Sequence, residues 1–89
     1  MKAIVTVIGR DRVGIIAEVC SLLAANSVNV LDISQTIMQD YFTMIMMVDT
    51  SACPLSFTDL SAALKAEGEK TALSIRIMRE DIFNAMHRI

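Results

Sequence analysis

Hydrophobic residues recur along the chain with two spacings, one typical of strands and the other typical of helices. Residues 3–8 are nearly all apolar or β-branched, which predicts a first strand buried on both faces. Within residues 71–79 apolar and polar positions alternate, which predicts a strand with one buried face. In that strand Leu73, Ile75 and Ile77 are predicted to face inward, and Ser74 and Arg76 to face outward.

The segment after the first strand repeats its apolar residues every three or four positions from Gly14 onward. This spacing predicts a helix with one apolar face. Asp11 is expected to cap its N-terminus, because a carboxylate accepts hydrogen bonds from the free amides of the first turn. Asn26 and Ser27 suit its C-terminal end.

A second helix is predicted in the second half of the chain. Ser56 precedes Asp59 by three residues, as in a capping box, and apolar residues follow at helical spacing. Gly68 is expected to end this helix, since glycine is the usual residue just past a helix C-terminus. A third, short helix is predicted at about residues 80–88, where the helical spacing returns.

Two further strands are predicted between the first two helices. Residues 28–39 and residues 41–48 have the pattern of extended chain, and Gln39 with Asp40 is predicted to form a hairpin turn. The two faces of the first of these strands are predicted to carry Leu31, Ile33 and Ile37 on one side, and Asp32, Ser34 and Thr36 with Val30 and Met38 on the other.

The predicted order is therefore β-α-β-β-α-β with a terminal helix, in a single domain over residues 1–89. Because crossover connections are right-handed, this order favours an α+β, ferredoxin-like sandwich. Its four-stranded antiparallel sheet has the order 4-1-3-2, with two helices on one face. The opposite face is left uncovered, and 54% of the residues are hydrophobic. Such an apolar surface predicts a homodimer or a higher homo-oligomer.

Charge and composition exclude several kinds of partner. The chain has 8 Lys and Arg against 10 Asp and Glu, whereas a nucleic-acid binder needs a clustered basic surface. No stretch approaches the ~20 apolar residues of a membrane span, so no membrane partner is expected. The two cysteines, Cys20 and Cys53, do not form a disulfide framework and are interpreted as thiols of a cytoplasmic protein.

Candidate catalytic residues are few, and no enzyme activity, metal or cofactor is expected. The only histidine, His87, has no other metal ligand at suitable spacing. Asp32 and Asp40 lie at opposite ends of one predicted strand, too far apart for joint acid–base catalysis. A small acylphosphatase-like enzyme is the least remote catalytic alternative, because Arg10 follows the first strand, although Asp11 would repel a phosphate.

The loop after the first strand offers a site for a small zwitterion. The helix that follows presents free amides and the positive end of its dipole, which favour a carboxylate. Asp11 is placed to accept hydrogen bonds from an ammonium group, and the amide of Asn29 can both donate and accept. From residue types alone it is equally plausible that Asp11 only caps the helix and Asn29 only ends a loop.

Longer stretches of the sequence resemble a known family. Residues 8–19 read Ile-Gly-Arg-Asp-Arg-Val-Gly-Ile-Ile-Ala-Glu-Val, and residues 28–33 read Val-Asn-Val-Leu-Asp-Ile. Together they resemble the ACT domain, and the remaining elements fall in the ACT order over the whole chain. Residues 32–36, 41–44 and 82–86 resemble the small stand-alone ACT proteins of bacteria related to the glycine cleavage system transcriptional repressor.

The resemblance implies a ligand-sensing regulatory module, usually dimeric, that binds amino acids at an interface between paired domains. Its expected partners are an amino acid or similar small carboxylate, a second copy of the chain, and a separate regulated protein. The alternative is a dimerisation adaptor that binds no small ligand. Val13 stands where the family commonly has proline, which would leave the loop less preorganised. The ligand-binding residues that the resemblance implies are Gly9, Arg10, Asp11, Arg12, Val13, Gly14, Ile15 and Asn29.

Overall fold

The computed structural model describes residues 1–86, and over these the chain forms four strands and three helices. Strands and helices follow one another in the predicted order, including a short helix at the end. The remainder of the predicted third helix, and His87, lie outside the described residues. The elements are β1 (Lys2–Arg10), α1 (Ile15–Ala25), β2 (Asn29–Met38), β3 (Tyr41–Asp49), α2 (Phe57–Lys70), β4 (Leu73–Arg79) and α3 (Glu80–Met86).

The four strands form one sheet in the order β2-β3-β1-β4, and every adjacent pair is antiparallel. This confirms the predicted ferredoxin-like fold and its strand order. β1 and β3 are the central strands, while β2 and β4 are the two edges. Arg10 at the end of β1 lies opposite Tyr41 at the start of β3, so the β1–α1 loop and the β2–β3 turn meet at one end of the sheet.

The core lies between α1, α2 and one face of the sheet. Alternate residues of the central strands are fully buried there, because successive side chains of a strand point to opposite faces. Each helix adds a stripe of apolar residues at a spacing of three or four, as the sequence predicts. The largest fully buried side chains are Ile15, Leu23, Met44, Met46, Leu60 and Leu64.

In the part of the chain that the structure describes, the opposite face of the sheet is covered at one end only. Ile4 lies on this far face but is just 5% exposed, because α3 contacts β1 and β4 at that end. Ile8 on the same face of the same strand is 50% exposed. The prediction that this chain leaves the whole face uncovered is therefore wrong at the α3 end, where the terminal helix folds back onto the sheet.

A β-bulge in β2 changes which side chains share a face. The pairing of β2 with β3 shifts between Val30 and Asp32, so Leu31 is an extra residue without a direct partner. Val30 consequently lies opposite the buried Val48, on the same face as Ile33, rather than on the predicted opposite face. Strict alternation through a strand cannot predict such an insertion, because one extra residue reverses the faces on one side of it.

The helix ends match the prediction in two cases out of four. The side chain of Ser56 caps α2 by accepting a hydrogen bond from the amide of Asp59 at 3.1 Å, as predicted, and Asn26 ends α1. Asp11 does not cap α1, because the helix begins only at Ile15 after Gly14. Gly68 does not end α2, which continues to Lys70 and is capped by Thr71.

Candidate functional site

The β1–α1 loop is fastened to the β2–β3 turn at one end of the sheet. The amide of Asp11 donates a hydrogen bond to the carbonyl oxygen of Asp40 at 2.8 Å. Between the two segments lies an open cleft of about 260 Å³ lined by Arg10, Asp11, Gln39 and Asp40. The lining is polar throughout and includes one guanidinium and two carboxylates, so the cleft can contact both charged ends of a zwitterion.

The two arginines of this loop have different surroundings. The guanidinium of Arg10 lies over the ring of Tyr41, with 5.7 Å between its carbon and the ring centroid, so it is held beside the cleft. The guanidinium of Arg12 forms an ion pair with Glu18 at 2.6 Å and also donates to the carbonyl of Thr71 at 3.3 Å. Arg12 thus ties the start of α1 to the end of α2, and Arg10 is the arginine that lines the cleft.

The glycines and the apolar residues of the loop add no polar side chain to the cleft. Val13 is 99% exposed, whereas Ile15 is 2% exposed and belongs to the core. Gly14 has a φ of 91°, a left-handed conformation that residues with a side chain adopt at a cost. Gly9 lies directly against Leu73, since a Cβ at this position would be 2.5 Å from Cδ2 of that leucine. Of the predicted loop residues, only Arg10 and Asp11 line the cleft.

Asn29 lies at the opposite end of the sheet from the loop. It pairs with Asp49, and Asp49 pairs with Lys2, whereas the loop begins after Arg10 at the other end of β1. Gly9 is seven positions along β1 from Lys2, which corresponds to about 23 Å of strand. A single chain therefore does not bring Asn29 to the cleft.

The end of the sheet that carries Asn29 has its own polar cluster around Asp49. The Asp49 carboxylate accepts hydrogen bonds from the Ser51 hydroxyl at 2.6 Å and the Ser51 amide at 2.9 Å, and it lies 3.5 Å from the ammonium of Met1. These two bonds from Ser51, and after them the positive N-terminus, hold the pKa of Asp49 below its ordinary value. The cluster fixes the start of β1 against the end of β3.

This cluster should weaken when acid protonates the Asp49 carboxylate. Because the pKa of Asp49 is lowered in the folded protein, the stability it contributes is complete above its ordinary pKa of 3.8 and is lost as the pH falls through the lowered value. Carboxyl-carbon NMR titration should therefore place Asp49 below 3.8. Ser51→Ala should raise the value, and Ser56→Ala, a matched change at the start of α2, should not. An Asp49 pKa that Ser51→Ala leaves unchanged would contradict the assignment of the lowering to the Ser51 hydroxyl.

The residue types alone did not single out Gln39 and Asp40, which line the cleft, or Tyr41, which contacts Arg10. The predicted strand order contained the information, because it places the end of β1 beside the start of β3 and therefore beside the turn before it. Other chemistry is sparse in the part of the chain that the structure describes. Among residues 1–86 no three potential metal ligands cluster, and no helix is long and apolar enough to span a membrane.

Comparison with known proteins identifies this arrangement. A model of the ACT domain matches residues 2–78. The chain belongs to the ACT domain family. It is 56% identical to a UPF0237 protein from Clostridium acetobutylicum over 89 residues, which cover the whole of both chains.

Solved structures agree with this assignment. An ACT domain protein from Streptococcus pneumoniae is 41% identical, with a TM-score of 0.84 over 98% of each chain. A candidate glycine cleavage system transcriptional repressor is 26% identical, with a TM-score of 0.74 over 86% of this chain and 44% of that one. The ACT domain is a ligand-binding regulatory module, so the polar cleft at the β1–α1 loop is the candidate site of this ACT domain.

Proposed function

We propose that this ACT domain is a non-catalytic regulatory module that binds an amino acid, or a similar small carboxylate, between two copies of the chain. The observation that carries the proposal is the cleft at the β1–α1 loop, where Arg10 and Asp11 present opposite charges side by side. Within residues 1–86, neither of these side chains forms an ion pair. Both are therefore available to a ligand.

The charges suit the two ends of a free amino acid. The Arg10 guanidinium offers paired donors to a carboxylate, and Asp11 accepts hydrogen bonds from an ammonium group. Asp40 adds a second carboxylate on the opposite side of the cleft. A simple inorganic anion would meet these two carboxylates at close range, so a zwitterion fits the charge pattern better than a phosphate does.

The exposed edge of β2 supports pairing with a second copy. Its side chains from Leu31 to Met38 are all exposed, among them Ile33 at 39% and Ile37 at 57%. Edge strands that avoid pairing with another chain carry charged residues, Pro or a β-bulge, and beyond the bulge at Leu31 residues 33–38 of β2 have none of these. The other edge, β4, does carry Arg76 and Arg79. β2 is therefore the edge suited to a homodimer.

Pairing of two β2 strands also explains how Asn29 can reach the site. β1 and β2 run in the same direction, so within one chain Asn29 and the loop lie at opposite ends of the sheet. A twofold axis that pairs two β2 strands antiparallel brings the start of one strand next to the end of the other. The loop would then face Asn29 of the partner subunit, and each site would be built from two chains.

Thermal unfolding against a panel of the twenty amino acids tests this proposal. A ligand at a hundred times its dissociation constant adds about 2.7 kcal/mol to stability, which corresponds to a rise of roughly 10–20 °C in the midpoint for a domain of this size. We expect one or a few amino acids to give such a shift and Asp11→Ala to abolish it. The chain has no Trp and one Tyr, so an added dye or circular dichroism is the appropriate readout.

A matched variant separates loss of binding from loss of stability. Asp59→Ala removes an equally exposed carboxylate in the first turn of α2 and should keep the ligand-induced shift, measured from its own midpoint. A flat response of the wild-type protein to all twenty amino acids would contradict the proposal. It would leave the dimerisation adaptor as the better description.

A further inference from the structure

A groove follows the outer edge of β4, at the opposite side of the sheet from β2. Its volume is about 590 Å³, larger than that of the loop cleft. One wall is formed by α2 with Ser61, Lys65 and Glu69, and the other includes Phe83 of α3. The two walls lie on opposite faces of the sheet, so the groove wraps around the edge of the strand.

The floor of the groove is a strand with unused pairing capacity. Within residues 1–86, β4 has one neighbour in the sheet, β1, with which it pairs from Leu73 to Arg79. In an antiparallel pair every second residue directs its N–H and C=O away from that neighbour. The outer edge of β4 therefore offers a row of backbone donors and acceptors to an additional strand.

The groove provides surface on both faces of such a strand. Ile75 and Ile77 line it on the helix-covered face, and Ile4 and Met78 line it on the far face. An extended polypeptide directs alternate side chains to the two faces of a sheet, so it would use both surfaces at once. A compact small molecule would occupy one side only.

The charges along the groove indicate the character of that polypeptide. Lys65 stands on one side of β4 and Arg76 on the other, and within residues 1–86 neither forms an ion pair. Among the described residues that line the groove Glu69 is the one acidic side chain, so this lining is net positive although the whole chain has a charge of −2. Antiparallel pairing of two β4 strands would bring two positive edges together, which disfavours a second copy as the occupant.

We propose that the β4 edge is a docking site for an extended, acidic segment of a partner protein, which adds to the sheet as a fifth strand. This interaction goes beyond ligand binding and does not depend on it. Pairing through β2 would leave both β4 strands free, as the outer edges of the joined sheet. The domain would then pair with a second copy of the chain through β2 and with another protein through β4.

Two synthetic peptides test the proposal. Acetyl-Thr-Glu-Glu-Val-Glu-Glu-Thr-amide carries acidic side chains on both faces, and the matched peptide has lysine in place of each glutamate. Amide NMR titration of the full chain should show shifts concentrated in residues 73–79 on addition of the acidic peptide. We expect the acidic peptide to bind about tenfold or more tightly than the basic one, because Arg76 and Lys65 attract the first and repel the second.

Charge-reversal variants supply the controls. Arg76→Glu should reverse the preference, and Lys65→Glu on the other side of β4 should weaken it. Lys2→Glu changes a lysine to glutamate at an exposed position of β1, about 13 Å along that strand from Thr6, the residue that pairs with Arg76. It should keep the wild-type preference. Equal affinity for the two peptides, or shifts confined to residues 29–38, would overturn the proposal. The proposal would also be overturned if Arg76→Glu dissociated a dimer of the protein, since a second copy would then occupy β4.

Discussion

Replacing Gly68 with alanine should destabilise the protein by about 2 kcal/mol, although the same change inside most helices is stabilising by about 1 kcal/mol. Gly68 is buried in the last turn of α2, where the helix packs against the start of β4. A Cβ there would be 2.6 Å from the carbonyl oxygen of Leu73 and 3.2 Å from Cγ1 of Ile75. Backbone cannot rotate away as a side chain can, so the helix must move. For a domain of this size the unfolding midpoint should fall by roughly 8–16 °C.

The two other glycines provide matched controls for this change. At Gly14 a Cβ would meet nothing within 4 Å, so Gly14→Ala should cost only the strain of a left-handed residue, about 1 kcal/mol. At Gly9 the close atom belongs to the flexible side chain of Leu73, which can move aside. Urea unfolding should therefore rank Gly68→Ala as the most destabilising of the three. A Gly68→Ala protein more stable than wild type would show that α2 and β4 do not approach so closely.

Gly68 also shows where prediction from the sequence fails. A glycine near the end of an apolar stripe is commonly the residue that ends the helix, and nothing in the local pattern distinguishes that role from close packing. Here α2 continues past it, and the Thr71 hydroxyl donates to the carbonyl of Glu67 at 3.0 Å at the helix end. The deciding contact is with β4, which follows later in the chain and reaches Gly68 only in the folded protein.

The elements and their order could be predicted because each depends on a local period. The strand order followed from connectivity rules, and it was correct. The bulge at Leu31 was missed, since one inserted residue alters the pairing without altering the composition of the strand. The face that α3 covers was also missed, because its position depends on where a terminal helix packs and not on its own periodicity.

For the candidate site, the sequence located the β1–α1 loop but not the position of Asn29 relative to that loop. The resemblance placed Asn29 in one set with the β1–α1 loop, and the structure separates them by the length of the sheet. The parallel directions of β1 and β2 already implied this separation once the strand order was predicted. Two chains can satisfy both the resemblance and the geometry, and one chain cannot.

Breaking the β2 edge should therefore abolish ligand binding as well as dimerisation. In the double variant Ile33→Lys, Ile37→Lys, two exposed apolar side chains are replaced by charges of the kind that protect natural edge strands. Light scattering should show a dimer for the wild type and a monomer for this variant, and any amino-acid-induced thermal shift should disappear. Both positions are exposed in the single chain, so the monomer itself should lose no more than about 0.5 kcal/mol per site.

An equivalent change away from the edge is the control for this variant. Ile8→Lys makes the same replacement once, at a 50% exposed isoleucine in the middle of the sheet, on β1. It should remain dimeric and keep its ligand response if β2 is the interface. A monomeric Ile8→Lys protein would place the contact on the far face of the sheet instead. A double β2 variant that stays dimeric would exclude pairing through β2.

Mixing two inactive variants then decides whether each site is shared between chains. Homodimers of Asp11→Ala lack the loop carboxylate, and homodimers of Asn29→Ala lack the amide, so neither should bind ligand. In a mixed dimer one site contains both substitutions, but the other joins an intact loop to Asn29 of the partner subunit. Random exchange makes half of the dimers mixed, so calorimetry should recover about a quarter of the wild-type binding sites. A site contained within one chain would recover none, because every chain in the mixture would still carry one defective half.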